Sequence, residues 1–176
     1  GNMGGMMGEG WGDWYASTLL AQESDGVNGI HALSGYSTSG VNGLLGSYYY
    51  GIRRFPTAVI SLTGGPNNPN CNNGPCPHNP LTFKHINTGC DTTLGTTTAV
   101  TSAFRRNPVF GPTANCNQVH NAGEIWKSAL WEVRARMVTR LGFLPGTTRV
   151  LQSVTSGMKL TPVSPTFLQA RDGVIA

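Results

Sequence analysis

Apolar residues recur at helical spacing near both ends of this chain and lose that order in between. Trp126, Leu130, Val133, Met137 and Leu141 form a stripe with a period near 3.6, bordered by Lys127 and Arg134, which predicts a long amphipathic helix. Asn121 can cap its start, and Glu124, three residues later, can reach back as in a capping box. Gly142 and Pro145 are expected to end it. A further helix is expected from Thr148 to Gly157 around Val150, Leu151 and Val154. Ser164 followed by Pro165 has the cap-then-proline form of another start, leading into FLQARDGVIA. Towards the other end, residues 8 to 22 predict a helix with two occupied faces. Trp11, Trp14, Tyr15 and Thr18 line one face, and Glu9, Asp13, Ala16 and Leu20 the other. Its glycines weaken it in isolation, so packing has to cover both faces.

From about residue 23 to 119 the pattern loosens. GVNGIHALSGYSTSGVNG is rich in turn formers, and GGPNNPNCNNGPCPHNP can hardly be regular structure. TAVISL is ambiguous between strand and helix. The expected fold is mainly α, a single domain over residues 1–176 with long irregular loops.

Charge refines this picture only a little. Charged residues make up 11% of the chain, and the net charge of +4 is spread over Arg53, Arg54, Arg105, Arg106, Arg134, Arg136 and Arg140. No basic run or arginine–aromatic module of nucleic-acid type stands out, so these read as solvated surface and no nucleic-acid partner is expected. No apolar stretch approaches the length of a membrane span, and the first residues lack a signal-peptide pattern. The four cysteines are Cys71, Cys76, Cys90 and Cys116. Cys71 and Cys76 bracket NNGP, a turn-forming stretch, so a local disulfide is expected there, leaving Cys90 with Cys116. The rival reading takes Cys71, Cys76, His78 and His85 or Cys90 as a small zinc site, with spacing that fits no standard finger. Oxidised cysteines imply an extracellular or periplasmic setting.

The candidate chemistry begins at GEGWGD, residues 8 to 13. A four-residue step on a helix stacks Glu9 and Asp13 on one face, where two acids repel unless something holds them. They can be an exposed polar pair, a helix-start preference or part of a cation site. The surrounding tryptophans and glycines favour burial, where unpaired carboxylates are costly. His120, read by itself, is a satisfied histidine near a helix start.

Five ordered segments then resemble one family. GGMMGEGWGDWYA at 4 to 16 resembles the fungalysin segment GGMGEGWSDF, GIRRFP at 51 to 56 its GIRxYP, and NPLTF at 79 to 83 its NPLTY. VHNAGEIWKSALWEV at 119 to 133 resembles VHAIGEVWASMLWEV, and GMKLTPVSPTFLQARDGVI at 157 to 175 resembles GMxLxPxxPxFxxARDAI. Fungalysins are thermolysin-like zinc endopeptidases, so the resemblance implies the C-terminal, mainly helical lobe of a secreted enzyme acting on peptide or protein substrates. It assigns Glu9 as the third protein ligand to a catalytic zinc, and Asp13 as the residue that orients a zinc-binding histidine. It assigns His120 as a hydrogen-bond donor to the oxyanion, and Arg53 as the residue that holds a substrate carbonyl beside the scissile bond. Glu124 keeps its reading as a helix-cap residue. The tips of Glu9, Asp13, Arg53 and His120 should then fall within roughly ten to fifteen ångströms of one another.

The chain also departs from the family. The aspartate that orients the oxyanion histidine in thermolysin-like sites is replaced here by ANCNQVH, with Asn115 or Asn117 and no acid. His31, His78, His85 and His120 are the only histidines, and none belongs to HExxH, the motif that gives two zinc ligands and the water-activating glutamate. The chain is therefore expected to begin just after that motif and to partner an N-terminal lobe carrying it. By itself it is expected to be inactive. Zinc is the implied cofactor, with calcium a further candidate, and no membrane partner is expected. The alternative function is a non-catalytic secreted binding or adhesion module that keeps the peptidase fold.

Overall fold

The computed structural model describes residues 3–38, 47–59, 78–85, 107 and 118–176. Six α-helices are found among them: α1 (Met3–Leu20), α2 (Gly35–Thr38), α3 (Ser47–Tyr50), α4 (Val119–Leu141), α5 (Phe143–Leu160) and α6 (Phe167–Ile175). A 3-10 turn covers Phe83–His85. Among the described residues the only β features are two isolated bridges, His31 with Thr57 and Leu33 with Gly51. The mainly helical class expected from the periodicity is observed. The four cysteines, Asn115 and Asn117 lie outside the described residues, and with them the disulfide expectations.

The centre of the structure is α4. The sequence stripe accounts for Trp126 and Leu130, but seven consecutive residues, Ala122 to Ser128, are buried. A helix buried on every side has neighbours on every side. Met6, Met7 and Trp14 of α1 share one core with Trp126, Leu130, Val150, Val154 and Phe167. Ile125 packs in a second cluster with Phe55 and Leu81. Lys127 and Arg134, expected at the solvent border, are buried instead, as is Arg54.

The helix ends also correct the sequence reading. Gln118, not Asn121, caps α4, accepting from the Asn121 backbone N–H at 3.0 Å, and Glu124 takes no part in a capping box. Gly142, at φ 87°, closes α4 and opens α5 directly, so Pro145 lies in the first turn of α5 rather than in a loop. Proline is tolerated there because its missing N–H has no intrahelical partner anyway. Thr166 rather than Ser164 caps α6, in a reciprocal capping box with Gln169. Helix α1 starts five residues earlier than its expected start at residue 8, extended by Met6 and Met7, which are buried against α4. Its second face is only partly covered: Asp13 is buried, but Ala16 and Leu20 are exposed.

Candidate active site

Helices α1 and α4 touch at glycine. A Cβ on Gly10 would lie 2.5 Å from Gly123 O and 2.9 Å from Trp126 Cβ. A Cβ on Gly123 would lie 2.9 Å from Glu9 Cβ, Gly10 N and Met6 O. Only glycine at both positions lets the two backbones come this close. The crossing sits between Glu9 and Asp13 on α1 and beside His120 on α4, so it sets the separation of those side chains.

The third contributor is the segment Gly51–Val59. Gly51, at φ 63°, bridges Leu33, and a side chain there would collide with the Leu33 carbonyl. Beyond this turn Arg53 reaches α1. Its Nε donates to Asp13 Oδ2 at 2.6 Å and its Nη2 to Asp13 Oδ1 at 2.7 Å, a two-pronged grip. Nη2 also stands 3.7 Å from Glu9 Oε2. His120 Nδ1 donates to the same Glu9 oxygen at 2.7 Å. Glu9, Asp13, Arg53 and His120 therefore form one connected cluster, although 111 positions separate Glu9 from His120.

Burial is graded across this cluster. The Arg53 and Asp13 side chains are 12% and 9% exposed, whereas those of His120 and Glu9 are 46% and 37% exposed. The charge pair is thus sheltered, and the Glu9–His120 pair faces solvent. Burial works against the Arg53 cation, but the hydrogen bonds and charge of Asp13, with Glu124 and Glu9 behind it, outweigh burial and raise its pKa.

Sequence reasoning missed a second set of charges behind the first. Glu124, buried on α4, accepts from the Arg54 backbone N–H at 2.5 Å and from Arg54 Nε at 2.9 Å. Its helix-cap reading fails because this buried arginine takes both carboxylate oxygens. Lys127, one turn further along α4, is 3% exposed. Burial pushes its ammonium down to about 8, against the opposing pull of Asp13 and Glu124. Three acids (Glu9, Asp13, Glu124) and three bases (Arg53, Arg54, Lys127) thus balance in charge. The adjacent arginines of GIRR were a signal for this, since an arginine drawn out of water demands an acid. Nothing in the spacing marked Lys127.

The ligand chemistry available here is limited and specific. Both polar contacts to Glu9 fall on Oε2, and among the described residues none forms a hydrogen bond or ion pair with Oε1, so this partly exposed side chain keeps one carboxylate oxygen for a cation. Carboxylate suits zinc as one ligand of a set. Among the described residues, no three His, Cys, Asp or Glu side chains group so as to hold a metal ion. His78 and His85, in the rival zinc reading, each have Nδ1 in a hydrogen bond, to the Tyr49 hydroxyl and from the Thr82 backbone N–H. Their cysteine companions lie outside the described residues. Among the described residues, no helix is long and apolar enough to cross a membrane.

The chain is similar to fungal extracellular metalloproteinases. Extracellular metalloproteinase 10 of Coccidioides posadasii is 23% identical over 184 residues, spanning 97% of this chain and 21% of that protein. Extracellular metalloproteinase mep of Aspergillus terreus is 24% identical over 188 residues, spanning 99% of this chain and 22% of its own length. Extracellular metalloproteinase 5 of Trichophyton tonsurans is 24% identical over 184 residues, with 97% and 22% covered. The chain spans about a fifth of the length of these relatives. The family model described as fungalysin metallopeptidase (M36) matches residues 78–176, more than half of the chain, and the chain belongs to that family.

Proposed function

We propose that the protein carrying this chain is a secreted zinc endopeptidase, and that these residues form the C-terminal lobe of its two-lobed catalytic unit. The observation that supports this reading is the meeting of Glu9, Asp13, Arg53 and His120 from three separate parts of the sequence. Bound zinc supplies Lewis-acid polarisation of the scissile carbonyl and of water. Glu9 would hold it as one ligand of the set, since only one of its carboxylate oxygens is engaged by His120 and Arg53. The sequence contains no HExxH, so the other two ligands and the water-activating glutamate come from outside these 176 residues.

Each neighbour of Glu9 has a task its remaining atoms can perform. A carboxylate offers about four lone-pair sites, and Asp13 has used two on Arg53. It can still accept the ring N–H of a metal-bound histidine and fix that ring's orientation. Arg53 spends Nε and Nη2 on Asp13, which leaves the Nη1 donors for a substrate carbonyl. His120 has Nδ1 on Glu9, so Nε2 is its nitrogen for a substrate oxygen. Exposure of this edge suits a cleft between two lobes.

The test is peptide cleavage by the secreted protein that carries this chain, with and without a zinc chelator. The expected result is cleavage of internal peptide bonds that chelation abolishes and added zinc restores. A pure protein that cleaves nothing with zinc present would leave the non-catalytic binding module as the better reading.

A further inference from the structure

The backbone beside Arg53 is gripped by two buried side chains that have no part in the chemistry above. Glu124 reaches it from α4 and is 2% exposed. One carboxylate oxygen takes the Arg54 backbone N–H at 2.5 Å and the other takes Arg54 Nε at 2.9 Å. Arg54 Nη2 continues to the Asn121 carbonyl at 2.6 Å, next to His120. Asn107 reaches the same segment from elsewhere in the chain and has no exposed surface. Its side-chain amide donates to Gly51 O at 2.9 Å and to Arg53 O at 3.1 Å. Its backbone N–H donates to Arg54 O at 2.9 Å. The Arg54 N–H and the carbonyls of Gly51, Arg53 and Arg54 are thereby all bound by these two residues.

The geometry separates two arginines that are neighbours in sequence. Arg54 turns to α4 and is fixed there, while Arg53 turns to Asp13 on α1. Glu124 also lies one helical turn after His120 on α4, so the two share a face of that helix. A buried ion pair is weak evidence for stability, since apolar residues of similar volume usually serve as well. Its value here is directional: two hydrogen bonds from one carboxylate fix where a backbone lies.

We infer that Glu124 and Asn107 are positioning residues for Arg53, and that Glu124 ties the arginine to His120 through α4. The catalytic consequence rests on the peptidase reading above; the geometric one does not. Glu124→Gln is the informative change, because the new amide turns an N–H toward an Arg54 donor while volume is kept.

The experiment has two arms. In the first, arginine-labelled chain is followed by NMR for solvent exchange of the Arg53 Nε–H, well below the melting temperature. Glu124→Gln should speed that exchange by about tenfold or more, the effect of losing a charged hydrogen bond, with unchanged helical circular dichroism. A folded variant with wild-type exchange at Arg53 would overturn the inference. Asn107→Ser, which removes the amide donors to Gly51 O and Arg53 O, carries the same expectation if Glu124→Gln does not fold. In the second arm, kcat/KM of the secreted protein should fall on the order of 10²-fold in Glu124→Gln, the scale of a displaced substrate clamp. In an Arg53→Ala background the same change should cost less than about twofold, because coupled residues are not additive. A full additional loss there would mean that Glu124 does not act through Arg53. If the wild-type protein cleaves no peptide, the peptidase reading fails, and the exchange rates still decide the inference.

Discussion

Replacing Gly123 by alanine probes how closely the site depends on the contact of α1 with α4. The new Cβ would meet Glu9 Cβ, Gly10 N and Met6 O, each at 2.9 Å, where ordinary contacts begin at 3.4 Å. Each of the three must retreat by about half an ångström, and two belong to the backbone of α1, which no rotamer change can move in a close-packed interior. Overpacking of this kind costs about 1–3 kcal/mol, and the rigid neighbours place it near the top of that range. Alanine in place of a helix glycine returns about 1 kcal/mol. The net expectation is a loss of about 1–2 kcal/mol, with α1 pushed outwards and Glu9 drawn away from His120. Gly12→Ala is the matched control, since nothing lies within 4 Å of its Cβ position. There the helix preference acts unopposed and should stabilise by about 0.5–1 kcal/mol. Urea unfolding of both variants measures this directly, provided the slopes agree so that midpoints compare as stabilities. A Gly123→Ala protein as stable as the wild type would refute the claim that the glycine crossing sets the site.

Three further outcomes follow from the charge arrangement and the cysteines. Asp13→Asn leaves the Arg53 cation, 12% exposed, without its carboxylate, and should cost about 3 kcal/mol with little dependence on salt. A loss below about 1 kcal/mol would place the pair with ordinary surface bridges. Lys127 gives up its proton near 8 when folded and near 10.5 when unfolded, so between those values the unfolded chain binds more protons. The stability of the wild type relative to Lys127→Met should therefore rise as pH climbs through that window, by about 3 kcal/mol in full. A pH-independent difference between the two proteins contradicts the burial of a charge there. For the expected Cys71–Cys76 bridge, peptide mass spectrometry without reduction should show the loop lighter by two hydrogens, and two free thiols would count against secretion.

How much of this was legible depended on whether a feature was local. Helices α1, α4 and α5 were legible because apolar residues recur with the helical period, and α6 through the Ser164–Pro165 start signal ahead of it. Their ends were less so: Gln118 and Thr166 won the capping positions over Asn121 and Ser164, a choice that depends on backbone geometry around several equivalent polar residues. Glu9, Asp13, Arg53 and His120 were legible through motif resemblance, and the structure brings them into contact. The partners of that set were not. Glu124 looked like a cap and Arg54 like surface because a buried ion pair between residues 70 positions apart leaves no periodic trace. Asn107 sits in sequence with no pattern at all, yet three of its hydrogen bonds hold the Gly51–Arg54 turn. Lys127 looked like the edge of an amphipathic stripe, whereas α4 is enclosed on all sides along that stretch.

The central claim is that Glu9 holds the metal while His120 acts on the substrate, although the two side chains touch. Zinc content and turnover, measured together on the full protein carrying Glu9→Gln or His120→Ala, separate these roles most directly. Glu9→Gln should lose zinc under conditions that saturate the wild type, and activity should fall with it. His120→Ala should keep its zinc while kcat drops by about 10²–10³-fold, as removal of an oxyanion donor does. Full zinc occupancy and wild-type turnover in Glu9→Gln would contradict the account.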